Sequence, residues 1–131
     1  MAVPLALLGG TGCALDGQAQ PKQAKGASRD VAAVVKRLEQ ASARADWRTV
    51  CDQIFTAGAR KRAGGKDCAR LLRSDAEGIA KPSIQVVHIT LRSRGRAAVR
   101  VRSRARGQPA LEDVIELKRE RGAYRVDSLA G

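Results

Sequence analysis

From Ser28 onward the apolar residues of this chain recur at helical spacing. Val31, Val34, Val35, Leu38, Ala41 and Ala45 occupy the i, i+3, i+4, i+7 positions of one face. Ser28 stands where an N-cap belongs, and Asp30 in the first turn suits the positive end of the helix dipole. Arg29, Lys36, Arg37, Glu39 and Arg44 fall mostly on the solvated side. Asp46 predicts the start of a second helix, with an apolar stripe through Trp47, Val50, Cys51, Ile54 and Ala57. Gly58 and the pair Gly64-Gly65 mark its end and a turn. A third, shorter helix is expected from Asp67 to Glu77, with Cys68, Leu71 and Leu72 inward.

At Lys81-Pro82 the apolar period changes from 3.6 to 2. Ile84 to Arg92 predicts a strand with Val87, Ile89 and Leu91 on one face and Val86, His88 and Thr90 on the other. A tight turn at Gly95 leads to a second strand, where Ala97, Val99 and Val101 alternate with Arg96, Arg100, Arg102, Arg104 and Arg106. After the loop Gly107-Gln108-Pro109, Leu111, Ile115 and Leu117 alternate with Glu112, Glu116 and Lys118. Glu120-Arg121-Gly122-Ala123 is a hairpin turn into a last short strand, Tyr124 to Asp127. Helices followed by hairpin-linked strands define an α+β fold, about three N-terminal helices packed on a curved antiparallel sheet of about four strands.

The segment before Ser28 follows neither pattern. Ala2 to Leu8 is apolar but far short of the roughly 20 residues that span a bilayer, and Gly9 to Cys13 follows at once. An apolar run closed by small residues before a Cys resembles a secretory signal and the bacterial lipobox. That resemblance implies a signal segment over 1–13, lipidation of Cys13 as a membrane anchor, and an extracytoplasmic location. Residues 14–27 are rich in Gly, Gln, Pro, Lys and Ala and predict a flexible tether, leaving 28–131 as the folded domain. The competing reading is a frayed cytosolic tail with Cys13 an incidental thiol.

With Cys13 assigned to the anchor, Cys51 and Cys68 remain, 17 positions apart, each on the apolar stripe of its own helix. An even pair in an exported domain predicts a disulfide, adding about 3 kcal/mol in the chain-entropy model. In a cytosolic protein the same pair would be buried free thiols. There is no CxxC pair and a single histidine, His88, so no zinc set can be assembled, and no metal or other cofactor is expected.

Charge adds a second theme. Lys and Arg number 25 against 13 Asp and Glu, a net +12, which draws phosphate polymers and anionic lipid headgroups. Arg96, Arg100, Arg102, Arg104 and Arg106 share one parity, with Arg92 and Arg94 across the turn. The stripe predicts contact with anionic lipid or a cell-wall polymer through bidentate guanidinium bonds, or alternatively a like-charge guard against edge-to-edge strand pairing. Nucleic-acid binding would ask for exposed aromatic rings, and aromatic residues make up only 2% of the chain.

The order of elements resembles the nuclear transport factor 2-like (SnoaL-like) superfamily of α+β cones, over about Ser28 to Leu129. The residues that carry the likeness are Ala45-Asp46-Trp47, the paired Cys51 and Cys68, and the closing Arg121 to Asp127. Lipoproteins of this kind often close on a Gly-Gly-Trp-Arg-Val-like turn, where this chain has Gly122, Ala123 and Tyr124. The resemblance implies either a binding module or an isomerase- or dehydratase-like enzyme, and no catalytic motif carries over residue by residue. Asp113, His88 and Tyr124 are the candidates for catalysis, with Asp127 behind them. Asp113 shares the inward parity of Leu111 and Ile115, so it either faces a pocket or marks a bulge. His88 and Tyr124 have structural readings as a strand residue and a packing ring, and Asp127 reads as a solvated strand end. The expectation is a non-enzymatic, membrane-tethered accessory protein that binds a ligand or an envelope partner. The alternatives are an enzyme of the same fold and a basic cytosolic nucleic-acid binder.

Overall fold

The period change at Pro82 divides the fold as it divides the sequence: helices come first, then an uninterrupted run of strands. The computed structural model describes residues 21–130; Cys13, the export signal and residues 14–20 of the expected tether lie outside the described residues. The helical part comprises α1 (Pro21–Ala43), α2 (Trp47–Thr49) running into a π-helical turn (Val50–Ile54), α3 (Ala57–Arg62), a 3-10 turn (Gly65–Asp67) and α4 (Cys68–Asp75). Strands β1 (Ser83–Arg92), β2 (Arg96–Arg104), β3 (Leu111–Glu120) and β4 (Ala123–Ala130) form one antiparallel sheet in the order β1-β2-β3-β4. The fold is α+β.

Helix α1 buries Val31, Val34, Val35, Leu38 and Ala41 against the sheet, as its stripe predicts. Ser28 is not its cap. The helix is described from Pro21, since Gln23, Ala24 and Lys25 are strong helix formers that carry it over 21–27 of the expected tether. Its C-terminus lies at Ala43, and Ala45 is exposed rather than on the apolar face. Ala45 takes φ 56° while Asp46 N–H donates to Ala41 O (2.8 Å) and Ala45 N–H to Ser42 O (3.0 Å). This is the Schellman pattern, with alanine where glycine is usual. Asp46 then caps α2 as expected, accepting from Thr49 N (3.3 Å) and Thr49 Oγ1 (2.7 Å). These bonds, the hydroxyl first, lower the Asp46 pKa.

The second apolar stripe is broken in the middle. Phe55 leaves the helix in extended conformation and pairs in parallel with Val126 of β4, with Thr56 N–H donating to Val126 O (2.9 Å). Thr56 caps α3 by accepting from Ala59 N (3.0 Å), so Gly58 lies inside a helix and ends nothing. Further on, Leu71 is partly exposed, 37% of its surface open, and its methyl covers Gly64, where φ 123° is the region that favours glycine and a Cβ would stand 2.5 Å from Leu71 Cδ1. Cys51 and Cys68 are both buried, with their sulfurs at bonding distance (1.97 Å) and Cα atoms 6.1 Å apart. The bridge joins the π-helical turn to α4.

In the sheet, a β-bulge at Val87 changes the expected facing of β1. Ile84 and Val86 before it, and Ile89 and Leu91 after it, face the core, while Val87 is exposed. Both phases of this segment carry apolar residues, and the pairing with β2 selects between them. A second bulge, opposite Glu116 and Leu117, falls at Asp127 in β4. Arg121 and Gly122 both have positive φ (57° and 80°), the signature of the type I′ two-residue hairpin.

Candidate functional site

The starts of β1 and β3 and the ends of β2 and β4 lie on the side of the sheet away from the Arg121-Gly122 hairpin, and there the core opens. Two adjoining cavities, of about 410 and 660 Å³, share Ser42, Trp47, Ile84 and Ser103 as walls. The inner one lies between Leu38 and Ser42 of α1, Trp47, Phe55, Leu72 of α4, and the sheet residues Val101, Asp113, Ile115 and Leu129. The outer one opens between α4 and the strand ends, where Arg73, Glu77, Lys81 and Arg104 stand at the rim beside exposed Ile79 and Leu111. The construction is that of a ligand cleft, an apolar lining with a few convergent polar groups.

Among the described residues, the polar side chains lining the inner cavity besides Trp47 are Ser42, Ser103 and Asp113. Asp113 is half-buried and faces the inner cavity, as its parity predicts; no bulge is needed to explain it. Ser103 Oγ donates to Asp113 Oδ2 at 3.4 Å. Among the described residues, Asp113 is the only titratable one lining the inner cavity. Ser103, which sequence reasoning passed over, continues the inward parity of Val99 and Val101 as the first polar residue on that row. That parity is the signal that finds it.

The other candidates lie elsewhere. His88 is exposed and pairs with Arg100 on the face of the sheet opposite to Asp113, so the two share no cavity. Tyr124 packs against the core at the far end of β4, beneath Arg119, whose guanidinium carbon is 5.2 Å from the ring centroid. Its surroundings are Asp30, Val34 and Arg37 of α1. Asp127 is not a solvated strand end: it accepts from the buried Thr56 Oγ1 at 2.7 Å and lies 3.5 Å from Arg62. The bulge in β4 turns it toward the cap of α3, where it fastens the sheet to the helices.

The arginine stripe is exposed, and Arg96, Arg100, Arg102 and Arg104 belong to β2. Arg106 lies beyond the strand, its N–H donating to Ala80 O at 2.8 Å. Because β2 is bonded on both sides, its charges cannot serve to guard a free edge. Among the described residues there is no cluster of three His, Cys, Asp or Glu suited to a metal ion, and no helix long and apolar enough to cross a membrane. No family model, no curated protein and no solved structure matches this chain.

Proposed function

We propose that this chain is a non-enzymatic, extracytoplasmic binding protein, tethered to a membrane through Cys13, with a domain of the nuclear transport factor 2-like kind. Its cleft takes up a small molecule with an apolar body and one hydrogen-bond donor. The observation that carries this reading is the apolar inner cavity with, among the described residues, a single carboxylate, Asp113, which accepts from Ser103. A hydroxyl or ammonium group of the ligand donates to Asp113, while Trp47, Phe55 and Leu72 cover its apolar part. Proton-transfer chemistry gains little support, because His88 and Tyr124 stand outside the cleft. The bonded Cys51 and Cys68 agree with an oxidising compartment, and helices followed by an antiparallel meander agree with the family reading.

Trp47 is the chain's single tryptophan and walls both cavities, so its fluorescence reports occupancy directly. Titration with long-chain alcohols and amines should shift Trp47 emission to saturation. Asp113→Asn should weaken that binding by roughly 10- to 100-fold, the worth of a hydrogen bond to a charged group. An emission unchanged by every alcohol and amine, or equal affinity in Asp113→Asn, would overturn the ligand assignment. The intact mass of the protein from its own membrane fraction tests the anchor: a chain starting at an acylated Cys13 supports it, and an unmodified full-length chain refutes it.

A further inference from the structure

One face of the sheet packs on the helices; the other carries no helix among the described residues. The strand register arranges that open face in cross-sheet rows. Arg92, Arg96, Lys118 and Arg125 lie side by side on β1 to β4, followed by Thr90, Ala98, Glu116 and Ser128. The next rows are His88-Arg100-Val114, Gln85-Arg102-Glu112 and Ser83-Arg104. Adjacent strands are about 4.8 Å apart, so the first row sets the backbones of four basic residues at the closest spacing a sheet permits. Arg125 turns its guanidinium to the carbonyls of Asp52 (3.3 Å) and Phe55 (3.4 Å), and Arg102 pairs with Glu112 at 3.5 Å. Among the described residues, Arg92, Arg96, Arg100, Arg104 and Lys118 have no ion-pair partner.

Like charges directly opposite on neighbouring strands destabilise a sheet. The row therefore works against folding, and the edge-guard explanation fails for an interior strand. We propose that this face is a docking surface for an anionic phospholipid bilayer. Its free cations spread over three strands in two dimensions, matching a plane of phosphates, and guanidinium groups bind phosphate in bidentate fashion. Val87 and Val114, both exposed, stand beside Arg100 as apolar points that can enter the headgroup layer. A single-stranded nucleic acid would find no tryptophan, tyrosine or phenylalanine ring to stack on, since Trp47, Phe55 and Tyr124 all belong to the core side and the face offers only the imidazole of His88. The face holds the domain flat against the membrane and leaves the cleft, on the opposite face, turned away from it. This inference is independent of the ligand reading of the cleft.

The test uses the full chain with Cys13→Ser, so that no acyl group contributes, and with Cys51 and Cys68 oxidised. Co-sedimentation is measured with phosphatidylcholine vesicles and with vesicles containing about a third phosphatidylglycerol, at low and high salt. Binding should require the anionic lipid and fall with salt. Arg96→Gln with Lys118→Gln should lower partitioning about 25-fold, near fivefold per cation removed. The pair Arg48→Gln and Lys61→Gln, which makes the same charge change on exposed helical positions, should lower it far less. The first pair also relieves a repulsion, so its melting temperature should hold or rise, which separates lost binding from lost fold. Equal losses in both pairs, or no binding to anionic vesicles, would overturn the proposal. So would full competition by a single-stranded oligonucleotide at a phosphate concentration well below that of the vesicles.

Discussion

Strand β2 shows two environments one residue apart. Val99 lies between Ile89 and Ile115 and is 0% exposed, whereas the next residue, Arg100, lies between His88 and Val114 in solvent. The inward row loses contacts and leaves a void when shortened, so it sets stability. The outward row contributes little to stability and in places opposes it. A strand whose two faces answer to different demands can change on one face without unfolding the other.

The largest expected effect removes the link between α4 and the rest of the helical layer. Cys51→Ala with Cys68→Ala should cost about 3 kcal/mol, read as a lower urea midpoint. Alcohol-induced changes in Trp47 emission should weaken because α4 supplies Leu72 to the cleft, while vesicle binding below the melting temperature persists. Parallel loss of both would join the two faces into one site. Next, Val99→Ala should cost about 2 kcal/mol in transfer and cavity terms, against less than about 0.5 kcal/mol for Arg100→Ala. Similar values for the two, measured by urea denaturation, would break the distinction between the faces.

A smaller effect lies at the seam. Glu39 of α1 accepts from Ile84 N (2.6 Å) at the free edge of β1, and this bond, ahead of the Lys36 contribution, lowers its pKa despite partial burial. A carboxylate stabilised by folding contributes fully above its unfolded pKa of about 4.3, and the contribution fades as pH falls through the lower folded value. Glu39→Gln should therefore cost about 1 kcal/mol at neutral pH and flatten the acid limb of the stability curve. An acid limb identical to that of the parent protein would show that the seam does not depend on this charge. The smallest change is a gain: Arg96→Thr should raise stability by a few tenths of a kcal/mol through relief of its repulsion with Arg92 and Lys118. A loss instead would mean that the row is not repulsive in the folded state.

Much of this architecture was legible because it is local. The switch of period at Pro82, the parity of Val99 and Val101, the Asp46 cap and the Arg121-Gly122 hairpin are each written within a few residues. The pairing of Cys51 with Cys68 followed from two stripes and the even count. What could not be read depends on distant partners. Val86 and Val87 are equally apolar, and only the register against Arg100 and Val101 decides which is buried. The break at Phe55 answers to Val126, and the role of Asp127 answers to Thr56, 71 residues away. Of the candidate site, the parity of Asp113 was readable, but the separation of His88 and Tyr124 from it required the sheet to be assembled.

The parallel bridge between Phe55 and Val126 also bears on the order in which the molecule assembles. Each strand pairs with its immediate successor, so the sheet closes short loops whose entropy cost is low. The segment at Phe55 and Thr56 must wait until β4 exists before it can find Val126 O and Asp127. Sequence separation slows such contacts, which puts the docking of this segment after hairpin formation. Until that segment docks, the edge of β4 at Val126 is open to pairing with another chain.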